Sequence, residues 1–150
     1  MKLQWSLVTY LILNSKMENC RKTSNNKVFT FSENRSSLTL LNKDEVSSIS
    51  IHVDGCEIHD NGVKCDFLHI AKDIEMYIEL KGHDISHAMN QIERTIGLLS
   101  ADKKKQKKIS YIICTRSPLT STEIQLFDRK FREKFNSKLI IKSSPFTDSY

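Results

Sequence analysis

The stretch Met76-Tyr77-Ile78-Glu79-Leu80-Lys81-Gly82 constrains the chain more than any other. It is an apolar strand that ends in Glu-x-Lys and is broken by glycine. Strand side chains alternate between faces, so Glu79 and Lys81 project to one side while Ile78 and Leu80 project to the other. A carboxylate and an ammonium therefore share one polar edge. Cys65-Asp66-Phe67-Leu68 lies upstream at the start of the preceding strand, and Asp66 reaches the same edge if the two strands pair. Two carboxylates beside a lysine suit a hard divalent cation and the chemistry of metal-assisted phosphodiester hydrolysis.

The rest of the chain builds a sheet around this strand. Val28–Phe31, Ser37–Leu41 and the cleanly alternating Ser48–Val53 read as strands. Turn signals at Asp54-Gly55 and Asp60-Asn61-Gly62 precede strands over 64–70 and 76–81, an antiparallel meander. After Gly82, Asp84 or Ser86 caps a helix whose inward positions are Ile85, Ala88, Met89, Ile92, Ile96 and Leu99. Ile109–Cys114 reads as a buried strand. Thr120-Ser121-Thr122-Glu123 is a capping-box pattern opening a helix with Phe127, Phe131 and Phe135 inward, and Leu139–Ile141 is a last strand. Residues 14–27 read as the end of an N-terminal element followed by a loop. The fold class is α/β in the mixed α+β sense, a central mixed sheet with an antiparallel meander flanked by helices. With 150 residues, the chain reads as a single domain over 1–150, with a core over about 28–114 and the elements at about 120–141 packed on it.

Composition adds bounds rather than a function. A net charge of +5 favours polyanionic partners but is also found on proteins that touch none. The cysteines at 20, 56, 65 and 114 form no CxxC pair, so they read as reduced core thiols of a cytoplasmic protein. The apolar start from Met1 to Leu13 is interrupted by Gln4, Ser6 and Thr9 and is too short for a membrane span. It reads as an element packed on the domain, with no targeting segment and no membrane partner.

An order of strand, strand with Asp, strand with Glu-x-Lys, helix and strand resembles the PD-(D/E)XK nuclease superfamily, with its restriction-endonuclease-like fold. The match runs from about Ile49 to Cys114 and is carried by Cys65-Asp66-Phe67-Leu68, Tyr77 to Gly82, and Ala88-Met89-Asn90-Gln91. The resemblance implies a nuclease, a hydrolase dependent on Mg²⁺ or Mn²⁺, acting on nucleic acid with DNA favoured over RNA. It implies Asp66 and Glu79 as metal ligands, the Leu80 carbonyl as a further one, Lys81 as the lysine that orients water, and Gln91 as a holder of water or substrate. A homodimer follows by analogy. Cys65 stands where some members have proline. Glu18, Glu45 and Glu57 leave unassigned the further acid that many members carry. The alternative is a module that keeps this fold and binds nucleic acid or protein without cutting.

Other residues carry weaker signals. His83 and His87 have a zinc-compatible spacing, with Cys56 and Cys65 as imaginable partners in a zinc-binding regulatory domain, but no HExxH or CxxC accompanies them. Solvent-facing histidines are the simpler expectation. Lys103, Lys104, Lys105, Lys107 and Lys108 either contact nucleic-acid phosphates or form a solvated turn.

Overall fold

A computed structural model describes residues 19–80, 84–116 and 119–150. Among them, the strands are β1 (Arg21–Ser24), β2 (Val28–Glu33), β3 (Ser36–Leu41), β4 (Ser48–His52), β5 (Phe67–Ala71), β6 (Ile74–Leu80), β7 (Lys108–Cys114), β8 (Ser137–Ser143) and β9 (Phe146–Ser149). The helices are α1 (Ile85–Leu99) and α2 (Ser121–Phe135). This is a mixed α/β protein. The expected N-terminal element from Met1 to Leu13 lies outside the described residues.

A six-stranded sheet runs in the order β1-β4-β5-β6-β7-β8, and a three-stranded sheet in the order β2-β3-β9. In the large sheet, β4, β5 and β6 form the antiparallel meander. From β6 onward the pairing is parallel, because α1 carries the chain from β6 back to the start of β7 and α2 does the same before β8. A parallel centre is buried on both faces, which explains why β7 reads as a continuous apolar run from Tyr111 to Cys114.

Each face of the large sheet packs a different layer. Tyr77 and Leu68 join Ile85, Ile92, Ile96, Phe131 and Phe135 on the helical side. Met76, Ile78 and Leu80 pack against Phe31, Leu38 and Leu40 of the small sheet. The alternation along β6 therefore sorts its side chains between two cores. Both helices start as their sequences dictate: Asp84 accepts the His87 N–H, and Thr120 and Glu123 form a reciprocal capping box.

Three expectations need correction. Residues 21–24, within the stretch read as a loop, form the edge strand β1, whose side chains are mostly exposed and so lack an apolar signature. The strands over 28–41 form a separate small sheet with β9. Cys20 and Cys56 are joined in a disulfide, so only Cys65 and Cys114 remain as buried free thiols. The two bonded cysteines are 36 positions apart, a spacing that carries no local signal. No described helix is long and apolar enough to cross a membrane.

Candidate functional site

Glu79 stands near the C-terminal end of β6 and is fully buried. It shares the helix-facing side of the strand with Tyr77, while Ile78 and Leu80 turn to the small sheet. Asp66, just ahead of β5, grips the backbone on both sides of it. The Asp66 N–H donates to the Ile78 carbonyl at 3.1 Å, and Asp66 Oδ2 accepts the Leu80 N–H at 2.8 Å.

The strand is irregular at this point. The Asp66 N–H serves β6 while its carbonyl accepts from Val53 beside β4, at 2.9 Å. In a regular antiparallel strand both groups of one residue serve the same neighbour. Cys65 and Leu68, three positions apart, consequently reach the same core layer. Breaks of this kind re-aim side chains, and here the break sets the Asp66 carboxylate beside Glu79.

A third acid approaches from the other sheet. Glu33, exposed at the end of β2, lies near enough to Asp66 to disfavour the charged form of its carboxyl. Burial above all, then the neighbouring Glu33 carboxyl and the Glu79 charge, push the Asp66 carboxyl up to about 9, against the Leu80 N–H that favours its anion. Burial likewise pushes the adjacent Cys65 thiol up to about 12. Among the described residues, no three His, Cys, Asp or Glu side chains form a group placed to hold a metal ion. The carboxylates nevertheless offer hard oxygen donors, the type that Mg²⁺ and Mn²⁺ take.

Gln91 and Thr95 fasten α1 to the segment before Asp66. The Gln91 Nε2 donates to the Lys64 carbonyl at 3.1 Å, and Thr95 Oγ1 accepts the Cys65 N–H at 2.9 Å. Gln91 is buried, and its Oε1 has no hydrogen-bond partner among the described residues. Lys81 and His83 lie outside the described residues. So does Glu18. Glu45 is exposed, and Glu57 is ion-paired with Arg21. Glu33 is the described acid that approaches Asp66 from the small sheet. Its only sequence signal was its place at the end of an alternating strand.

The lysine run is divided. Lys103, Lys104, Lys105 and Lys107 are exposed. Lys108 is not available to phosphates: it is 1% exposed, and its Nζ donates to the carbonyls of Asp102, Lys103, Gln106 and Phe135 at 2.7–3.1 Å. Lys108 pairs with Glu75, four residues before Glu79, which puts about 13 Å of strand between the run and the carboxylates. The zinc alternative also loses donors, since Cys56 is in the disulfide and the Cys65 thiol is buried and held protonated.

The chain matches no family model, no curated protein and no solved structure.

Proposed function

We propose that this chain is a divalent-metal-dependent nuclease of the PD-(D/E)XK type, with Asp66 and Glu79 as ligands of Mg²⁺ or Mn²⁺. The observation that carries this reading is the grip of Asp66 on the backbone either side of Glu79, which sets two buried carboxylates side by side. Like charges in such a position are costly without a proton or a cation between them. When bound, the metal would supply a more acidic water and charge stabilisation at the phosphate. Lys81, two positions beyond Glu79, is the residue assigned to orient that water. Gln91, with its spare Oε1, is assigned to position water or substrate.

The substrate is nucleic acid, with DNA favoured over RNA, and a homodimer would supply two sites. The cytoplasmic assignment loses its main ground, because the disulfide belongs to oxidising surroundings. Glu79→Ala and Lys81→Ala, each shown to be folded by circular dichroism, are expected to abolish Mg²⁺-dependent cleavage of nucleic acid. Undiminished cleavage by either overturns the assignment.

One observation favours a second reading, a binding module that does not cut. Asp66 commits one oxygen to the Leu80 N–H, and burial favours the neutral form of its carboxyl over the anion a metal needs. Calorimetry with Mn²⁺ in the presence of nucleic acid separates the two, since no measurable metal binding selects the module.

A further inference from the structure

A cavity of about 410 Å³ opens where β1 and β4 of the large sheet meet β2 of the small one. Its walls include Phe29, Phe31, Phe67 and His52, with Ser50 and Lys22 as polar members. His52 and Phe67 are already stacked, with centroids 5.2 Å apart and planes within 26°. His52 is exposed and lines the cavity, which puts its ring within reach of a further flat ring.

Ser50 presents one sense of hydrogen bond to this space. Its Oγ lies 2.9 Å from His69 Nδ1, His69 Nε2 lies 2.7 Å from the Tyr150 hydroxyl, and that hydroxyl lies 2.7 Å from Ser48 Oγ. Ser48 donates to the Val46 carbonyl, so it accepts from Tyr150, which in turn accepts from His69 Nε2–H. His69 Nδ1 is then the acceptor and Ser50 the donor. Burial holds the His69 imidazole neutral by pushing it down to about 4, which leaves it one proton for this chain. With its proton directed inward, Ser50 keeps its lone pairs for the cavity and offers an acceptor to an N–H group.

Flat stacking surface, an acceptor for N–H and an exposed lysine match the three parts of a nucleotide: the ring, its donor edge and the phosphate. Two of its lining residues are close in sequence to the acids. Phe31 precedes Glu33 by two positions on β2, and Phe67 follows Asp66. We propose that this cavity takes one unstacked base of a single-stranded nucleic acid, with the ring on His52, its N–H edge at Ser50 Oγ and its phosphate at Lys22. The choice of nucleic acid as the bearer of the base rests on the nuclease reading. Each of the four bases carries an N–H donor on its pairing edge, so the site is tolerant of sequence. A duplex, whose bases are stacked and paired, is excluded from it.

Fluorescence anisotropy in EDTA tests this without any cleavage. A short single-stranded oligonucleotide is expected to bind about ten-fold tighter than an abasic strand of equal length, and about ten-fold tighter than a blunt duplex. His52→Ala should erase most of that margin and leave the abasic strand unchanged, which a merely structural role would not produce. Ser50→Ala, checked for folding by circular dichroism, should lower affinity for the intact strand about five-fold. Equal binding of intact and abasic strands, or an intact margin in His52→Ala, overturns the proposal. Metal-dependent cleavage combined with equal binding removes the base site alone. Base-dependent binding by a protein that takes up no Mn²⁺ removes the nuclease reading alone.

Discussion

Asp66 Oδ2 accepts the Leu80 backbone N–H at 2.8 Å, and this bond holds the carboxyl of one strand against the end of the next. The side chain thus replaces part of the ladder where β5 becomes irregular. It keeps Asp66 buried beside Glu79 although both carry acids.

Such placement costs stability, and Asp66→Asn should recover some of it. The folded-state carboxyl is raised to about 9 from an ordinary 3.8, so its contribution is fully present below 3.8 and is lost as pH rises toward 9. An asparagine keeps an oxygen for the Leu80 N–H without the charge. Thermal denaturation at pH 7.5 in EDTA is expected to show a melting temperature higher by about 3 °C, with Mn²⁺ binding lost. A lower melting temperature with metal binding retained would contradict the site.

His69 predicts acid sensitivity of the opposite sign. Its pKa is lowered from 6.5 to about 4 by burial, so its stabilising contribution is complete above 6.5 and is eroded as pH falls toward 4. The full span is worth about 3 kcal/mol. His69→Gln, which keeps polar groups for Ser50 and Tyr150, should flatten the loss of stability between pH 6.5 and 4 in denaturant titrations. An equally steep loss in that variant would show that other groups are responsible.

Lys108 serves as a clamp, gathering four carbonyls from the lysine turn and from the end of α2. Lys108→Met leaves these acceptors facing an apolar group and should cost about 3 kcal/mol in urea unfolding. Lys104→Ala on the exposed part of the turn should stay within about 0.5 kcal/mol of the unaltered chain. Similar effects for the two would refute the division of the run.

The Cys20–Cys56 disulfide closes a loop across 36 positions and ties the edge strand β1 to the β4–β5 connection. Its reduction should lower stability by about 3 kcal/mol, read as a fall in melting temperature with dithiothreitol. Alkylation of the native, unreduced protein should label none of the four cysteines rapidly, because Cys65 and Cys114 are buried. Rapid labelling of Cys20 or Cys56 would show that the bond is absent.

Local pattern alone determined the two described helices, the capping box of α2 and most strands, since a helix face or an alternating strand is written in neighbouring residues. The paired faces of β6 followed from the same alternation, with Met76, Ile78 and Leu80 to one core and Tyr77 to the other. What tertiary structure decided was everything that joins distant segments. Glu33 meets Asp66 only because the small sheet packs on the large one, and the disulfide forms only because β1 pairs with β4. Even the aim of Asp66 depends on a break in alternation, set by hydrogen bonds to β4 and β6 at once. A local period describes how a strand presents its side chains, whereas the partners on either side fix where that period is interrupted.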